Sequence, residues 1–459
     1  MKHTAMILLS GILLHTFSEP LSEKDIIMKA LSQNSDLKIE QLRIRKGDLD
    51  LKDAHARKRP NLNFTLSGTT TDSASSASGS VTARQHIPGG GQISGSAQQG
   101  RSGNFSGSDI YDRAITARIE QPLLRGAWGA DPVEHSVKVS SVNQTLLSLQ
   151  SKQTILSRLS EARQHFWNLY ERKMFLAISR KRSEQANDIL TSQRARYRIG
   201  EASVLDTLSA ALESAAAEQN LLRSQFEHES ARSTLATFLN EDADSISISD
   251  SVSLNFPDLP EPREFMDLAR KYDPQLEIFS RMRDLLNMHL KQAKNELLPT
   301  VNVQASYSRS ALDSRFFSSF TPQANKSIGL ILSYDLPQTS NRSEIERRRL
   351  DLEIQGENEK QHKINLEHQL GELKRRWEQD KLQVEYAQAS SELAQKQFDA
   401  TMKGYELGTE NRLSMEKAQN DLTAAQTSYA QSLVQLKKLQ IIIDEITGAT
   451  FNRFGVELK

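Results

Sequence analysis

Cysteine is absent from the 459-residue sequence. Its absence excludes disulfides, thiolate metal sites, a thiol nucleophile and an acyl anchor on an N-terminal cysteine. Hydrophobic residues are scarce, at 37% against a usual ~45–50%, and aromatic residues make up only 6%. A chain this polar has too little apolar surface for several deep cores. Its composition favours long, thin helical structure.

The charges balance, with 58 Lys+Arg and 58 Asp+Glu. Nucleic-acid binders usually carry a basic surplus that neutralises phosphates, and this chain has none. The sequence also lacks a phosphate-binding Gly-Lys pair, a Gly-x-Ser-x-Gly elbow and a His-Glu-x-x-His motif, and its ten histidines are scattered. It therefore predicts no enzyme, no cofactor, no metal site and no nucleic-acid partner.

Proline is missing from two long stretches, 133–256 and 338–459. Proline costs a helix interior about 3 kcal/mol, so both stretches are predicted to be helical. Eleven of the 21 glycines fall between Gly68 and Gly129, which marks one Gly/Ser-rich region.

The N-terminal residues 1–18 are predicted to be a signal peptide, because a short basic start precedes an apolar run from Ala5 to Leu14. That run is too short to span a bilayer, and no other run of ~18 apolar residues exists. A membrane-embedded form of this chain would therefore need a closed β-barrel.

The rest of the chain repeats one unit, predicted over 19–256 and 257–459. Pro60 and Pro299 each follow an amphipathic helix and precede alternating residues, and Tyr-x-x-Gly occurs later in both halves, at Tyr197 and Tyr405. Each repeat is predicted to contain a helix, a strand pair and a long helical hairpin, with a linker ending the first repeat and a tail ending the second. The strand pairs and hairpins are expected at 61–121 and 133–240, then at 300–337 and 341–448.

A Gly/Ser-rich insert over 79–100 interrupts the first strand pair. It has few apolar residues, so a loop is expected, and a further hairpin turning at its PGGG sequence is the alternative.

Apolar and polar residues alternate with period two after each proline, in segments of about ten residues. That length suits a tilted transmembrane strand. A soluble sandwich is the alternative, but two isolated pairs cannot form one alone. Eight apolar residues are expected to face lipid: Leu62, Phe64, Leu66, Val301, Val303, Ile328, Leu330 and Leu332.

Coiled-coil spacing runs through the helical stretches. One predicted packing seam begins at Ile155, Leu159 and Ala162, and a second begins at Leu205 and Leu208. The long helices predicted in these stretches would reach roughly 95 Å at 1.5 Å per residue. Such a length suggests a spacer, a tether or a conduit.

These features together resemble the outer-membrane efflux protein (TolC-like) family over about 22–450. The resemblance implies a mainly α fold with a β-barrel portion and an internal twofold repeat. In that family three chains each give four strands to a shared twelve-stranded transmembrane barrel, and coiled-coil hairpins form a periplasmic tunnel.

In that family the helix-hairpin turns meet an adaptor protein. The matching positions are Ile199, Gly200 and Glu201 in the first repeat and Leu407, Gly408 and Thr409 in the second. The alternative is that these residues form turns without a partner. The best-known members also close this end with carboxylates just past the second turn, where this chain has Ser414 and Lys417.

The carboxylates expected to form a gate here are therefore Asp206, which matches an acidic position, and the off-register Glu416. The alternative for Asp206 is an ion pair with an Arg or Lys of a neighbouring helix.

The expected function is a passive export duct of a tripartite efflux or type I secretion system. It would lie in the outer membrane as a homotrimer, extend into the periplasm, and work with a periplasmic adaptor and an inner-membrane pump. The alternatives are the periplasmic adaptor (membrane fusion) protein itself or a structural coiled-coil protein of the envelope. The sequence leaves the exported substrate open among drugs, metals and secreted polypeptides.

Overall fold

The computed structural model describes residues 20–71, 74–104, 109–249, 256, 258–313 and 323–450. The predicted signal peptide lies outside the described residues. Helices and strands follow one another in the order α1 (Glu23–Gln33), α2 (Ser35–Ala56), β1 (Asn61–Thr70), β2 (Ala74–Ile87), β3 (Gly91–Asn104), β4 (Asp109–Pro122), α3 (Pro132–Arg198), α4 (Val204–Leu239), α5 (Pro262–Tyr272), α6 (Pro274–Asn295), β5 (Thr300–Asp313), β6 (Gln323–Ser333), α7 (Thr339–Glu406) and α8 (Arg412–Ile446).

The helices of the two halves match in length, which confirms the predicted twofold repeat. α1 and α5 have 11 residues each, and α2 and α6 have 22 each. α3 and α7 have 67 and 68 residues, and α4 and α8 have 36 and 35. The mainly helical fold class with a β portion is also confirmed. None of the described helices combines the length and the apolar composition needed to cross a lipid bilayer.

The strands form a single antiparallel sheet in the order β1-β2-β3-β4-β5-β6. The 79–100 insert, expected to be a loop, instead supplies most of β2 and β3, and the chain turns between them at Gly89 and Gly90, both with positive φ. The described part of the chain therefore has six strands in this sheet, and not the four per chain that the resemblance implies. Backbone hydrogen bonds to β1 and β4 on either side hold this Ser- and Gly-rich hairpin, so it needs little apolar patterning of its own.

The register places all eight predicted lipid-facing residues on one face of the sheet, because residues directly opposite each other in an antiparallel pair share a face. Phe64 lies opposite Val81, Val81 opposite Ala97, and Ala97 opposite Ile115. At the other edge Val303 lies opposite Leu330. We call this the apolar face.

Charged residues on the apolar face lie only within five residues of the strand ends next to the β3–β4 and β5–β6 connections. They are Arg101, Asp109, Arg113, Arg309, Asp313 and Lys326. The opposite face is lined mainly by Ser, Thr, Asn, Gln and charged side chains.

The chain divides into two compact units, each drawn from both halves of the sequence. One unit comprises 40–153 and 274–365 and contains the sheet. It also contains an apolar cluster of Leu146, Ile278 and Leu285.

The other unit comprises 1–39, 154–273 and 366–459, and its described part contains both hairpin turns. Its core includes Ile26, Leu159, Phe166 and Leu235, each at most 1% exposed.

A buried ion network fixes α3 within this second unit. The Arg163 side chain is 2% exposed and donates from Nε to Glu23 Oε1 at 2.5 Å and from Nη2 to Asp444 Oδ2 at 2.9 Å. These contacts join α1, α3 and α8.

The predicted seam on α3 is buried, but the predicted seam on α4 is not. Leu205, Leu208, Leu212, Leu222 and Phe226 are all more than half exposed. The face of α4 that is buried instead carries the small residues Ala210, Ala217 and Ala231, which allow a close approach of neighbouring helices. The predicted seam on α4 is therefore left exposed in the single chain.

Candidate docking turns and gate

The first candidate docking turn joins α3 to α4 and depends on Gly200. Gly200 has φ +83°, a conformation that L side chains rarely adopt. The backbone N–H of Glu201 donates to Arg196 O at 2.9 Å and that of Gly200 to Tyr197 O at 3.1 Å, so two of the last carbonyls of α3 are satisfied.

The second candidate docking turn, between α7 and α8, has the same construction. Gly408 has φ +79°, and its N–H donates to Tyr405 O at 3.2 Å. The N–H of Thr409 donates to Gly404 O at 2.8 Å. Glycine is therefore required in both turns by the backbone conformation, as the repeated Tyr-x-x-Gly pattern predicts.

Each turn carries two exposed apolar side chains at matching positions. Ile199 and Leu407, which precede the glycines, are 69% and 80% exposed. Leu205 and Leu413, at the second residue of α4 and α8, are 73% and 72% exposed. Leu413 was missed at the sequence level, and Leu205 was assigned to a packing seam. The repeated position of the two leucines relative to the glycines is the signal that would have found them.

Asp206, one of the two candidate gate residues, caps α4. Asp206 Oδ2 accepts from the Ser203 hydroxyl at 2.6 Å and from the Ser203 backbone N–H at 3.3 Å, and Ser203 Oγ accepts in turn from Asp206 N. These hydrogen bonds hold the pKa of Asp206 below its usual value, and Arg412 adds to the effect. Asp206 therefore stays ionised, and protonation of its carboxyl group is not an effective way to weaken its contacts with Ser203.

Arg412 connects the two candidate gate residues. Arg412 Nη1 lies 3.3 Å from Glu416 Oε2, and its Nε lies 3.9 Å from Asp206 Oδ1. The structure therefore contains the ion pair that was the alternative for Asp206. Arg412 was not singled out in the sequence, because it lies in α8 whereas Asp206 lies in α4.

Glu213 adds a third carboxylate to Asp206 and Glu416 in this group. Burial raises the pKa of Glu213, and the nearby Glu416 raises it further, while Arg182 and Arg412 oppose the rise. The group formed by Asp206, Arg412, Glu416 and Glu213 is called the turn-end cluster below.

Within the described residues, no group of three or more His, Asp or Glu is arranged to hold a metal ion.

The second half of the chain matches the family model for outer membrane efflux proteins over residues 266–449. A search of curated protein sequences finds no match. The family is one of outer-membrane proteins, which agrees with the localisation predicted from the sequence.

Solved membrane channels and outer-membrane proteins share the fold. The CmeC outer membrane channel of Campylobacter jejuni is 13% identical, with a TM-score of 0.71 over 100% of this chain and 98% of CmeC. CusC is 14% identical, with a TM-score of 0.71 over 96% of this chain and 95% of CusC. The outer membrane protein VceC of Vibrio cholerae is 12% identical, with a TM-score of 0.71 over 93% and 96% of the two chains.

Identities this low establish a common fold and no more. The outer membrane efflux protein model thus matches residues 266–449, and the fold of these solved structures extends over nearly the whole sequence, in agreement with the resemblance predicted from the sequence.

Proposed function

We propose that this chain is the outer-membrane channel of a tripartite efflux or type I secretion system and acts as a non-catalytic export duct. The observation that carries the proposal is the two-faced sheet. Its apolar face crosses all six strands and carries exposed Leu, Ile and Phe side chains, whereas its other face is polar. A sheet with one lipid-compatible face and one wet face suits the wall of a transmembrane pore.

Two features of the apolar face favour insertion in lipid over a role as a soluble surface. The apolar side chains at its edges are among the most exposed of the chain, at 90% for Leu66 and 86% for Ile328. Exposed apolar patches of this extent are rare on soluble monomers. The charged residues of this face are confined to the strand ends, where a membrane surface would begin.

The helices support assembly with further copies. Side-chain contacts join α4 to α3 through Ser224 and Ser179, and α3 to α8 through Gln185 and Gln419. α7 and α4 each keep an exposed apolar seam at coiled-coil spacing, from Leu382 to Leu393 and from Leu205 to Phe226. Two unpartnered seams on different helices of one chain suit a closed ring in which each copy contacts the next. We propose the homotrimer that the family resemblance implies.

The two docking turns are the proposed contact with the periplasmic adaptor, which would connect the channel to an inner-membrane pump. Ile199, Leu205, Leu407 and Leu413 provide the apolar contacts, and Glu201 and Thr409 lie beside them. The three copies of a trimer would present six such turns, one set from each repeat.

The turn-end cluster is the proposed gate. Arg412 links α4 of one hairpin to α8 of the other, so widening this end separates Arg412 from Asp206. As predicted from the sequence, Asp206 and Glu416 are the proposed gate residues. Their shared contact with Arg412, and not repulsion between carboxylates alone, is proposed to control the gate.

The test of the function uses the absence of native cysteine. Single cysteines at Glu201 or Thr409 are expected to cross-link to a co-expressed adaptor, and a cysteine at Glu385, an exposed position of α7, serves as the control. Sedimentation with outer membranes and a detergent-resistant trimer on mild gels are expected in parallel. Labelling of positions 201 and 409 from outside intact cells would refute the orientation, and a soluble monomer would favour the adaptor or the structural coiled-coil alternative.

A further inference from the structure

The β2–β3 hairpin is a full part of the sheet. β1 pairs with β2 over its whole length, from Asn61 opposite Arg84 to Thr70 opposite Ser75. β3 pairs with β4 from Gln92 opposite Glu120 to Gly103 opposite Asp109. Removing the hairpin from the sheet would break both sets of backbone hydrogen bonds.

The turn of this hairpin is fixed by a buried carboxylate. Asp131 is 0% exposed, and its Oδ1 caps α3 by accepting from Val133 N at 2.9 Å. Its Oδ2 accepts from Gly90 N at 2.9 Å and lies 3.0 Å from His86 Nε2. One side chain thus joins the start of α3 to the hairpin turn.

The backbone of the turn is equally constrained. Gly89 O accepts from Gln121 Nε2 at 2.9 Å. A Cβ atom added to Gly90 would lie 2.1 Å from Gly126 O, so no larger residue fits there. The hairpin is therefore seated on the neighbouring segments and does not extend from the sheet as a loose insertion.

The two edges of the sheet, β1 and β6, are each paired on one side only among the strands that the structure describes. Every residue of both strands is exposed. Natural edge strands are usually protected by charges, proline or bulges, yet β1 contains no charged residue and no proline, and β6 contains one charge, Lys326. Unprotected edges of 10 and 11 residues are suited to pairing with another strand.

The partner that fits both edges is a second copy of this chain. Because the sheet is antiparallel and has an even number of strands, β1 and β6 run in opposite directions. β6 of one copy can therefore pair antiparallel with β1 of the next. The apolar face then continues from Leu330 and Ile328 to Phe64 and Leu66.

We propose that three copies close in this way into an 18-stranded barrel, wider than the twelve-stranded barrel that the family resemblance implies. The inference rests on the trimer of the proposed function. Barrel diameter grows about linearly with strand number, so the lumen would be about 1.5 times as wide, with roughly twice the cross-section. Small hydroxyl side chains of β2 and β3 would line the added wall: Ser78, Ser80, Thr82, Ser94 and Ser96.

Paired cysteines test the strand order within one chain. Phe64→Cys with Val81→Cys, and Ala97→Cys with Ile115→Cys, join residues directly opposite each other and are expected to form disulfides. Phe64→Cys with Ile115→Cys is the control, because three strand spacings, about 14 Å, separate them. Efficient cross-linking of the control pair would place β1 beside β4 and overturn the proposal.

Closure between copies is tested in the assembled protein. Phe64→Cys combined in turn with a cysteine at Ala324, Lys326, Ile328 or Leu330 is expected to give a covalent trimer at one register. Electron cryo-microscopy of the protein in nanodiscs is expected to resolve 18 strands. A trimer with a 12-stranded barrel would overturn the 18-stranded barrel but not the proposed function. The absence of any membrane trimer would overturn both.

Discussion

Leu330 and Ser333 lie three residues apart on β6 but on opposite faces of the sheet, as their partners Val303 and Thr300 show. A charged side chain at a lipid-facing position near the midplane of a barrel costs ~2–4 kcal/mol, whereas a lumen position tolerates charge. We expect Leu330→Arg to reduce the amount of trimer recovered from outer membranes and Ser333→Arg to leave it unchanged. Equal recovery of the two variants would contradict the assignment of the faces.

Among the described residues, Arg412 is the cation that forms ion pairs with both candidate gate residues. If this link keeps the tunnel end narrow, Asp206→Ala combined with Glu416→Ala should raise the single-channel conductance in planar bilayers. Glu410→Ala, at an exposed position of the adjacent turn, is the matched control. Because Asp206 also caps α4, the helix content of the double variant is measured by circular dichroism. Unchanged conductance in a normally folded double variant would exclude the gate.

Glu213 gives the turn-end cluster a pH dependence. Its pKa in the folded protein is raised above the ordinary value of 4.5, so the native state binds more protons than the unfolded state between those two values. The resulting stabilisation is present at low pH and is lost as the pH rises through the folded pKa.

We therefore expect the melting temperature of Glu213→Gln to exceed that of the wild type by an amount that grows as the pH rises from about 4 towards neutrality, and the difference to vanish near pH 4. A difference that persists at low pH would indicate a cause other than ionisation.

At the scale of secondary-structure elements, the two hairpin turns depend on backbone conformation more than on contacts. Nothing lies within 4 Å of a Cβ added to Gly200 or Gly408, so strain is the only cost of a side chain there. Gly200→Ala or Gly408→Ala should each destabilise the protein by about 1–2 kcal/mol, because L residues adopt this conformation poorly.

Gly356 provides a control for which the opposite change in stability is expected. It lies inside α7 with equally open space around its Cα, so Gly356→Ala should stabilise the protein by roughly 1 kcal/mol through helix propensity. Thermal melting of the three variants side by side measures these effects. Destabilisation by all three substitutions would mean that steric contact of the added methyl group, and not backbone conformation, causes the loss of stability.

At the scale of the whole molecule, the exposed seams on α4 and α7 predict how copies assemble. Leu212 lies in the middle of the α4 seam and is 74% exposed in the single chain. Leu212→Glu should therefore leave the folding of one chain intact but reduce the trimer fraction at least several-fold, as measured by gel filtration with light scattering. Glu218→Lys, off the seam on the same helix, is the matched control. A stable trimer with Glu at position 212 would contradict the proposed contact.

Much of this protein was determined by local sequence signals. Proline-free stretches specified the long helices, because proline removes a backbone donor and clashes with the preceding turn. Two glycines specified the hairpin turns, because only glycine adopts positive φ at little cost. Period-two alternation specified β1, β4, β5 and β6 and the face that each presents.

Other features of the protein depend on tertiary structure, because local sequence signals do not specify them. β2 and β3 became strands because β1 and β4 supply hydrogen-bond partners, and such pairing leaves little trace in a Ser- and Gly-rich sequence. The heptad spacing on α4 was visible, but whether its partner belongs to the same chain depends on which helices lie beside it. Arg412 acquired its contact with Asp206 only through folding, because 206 residues of chain separate two side chains that the structure brings to 3.9 Å.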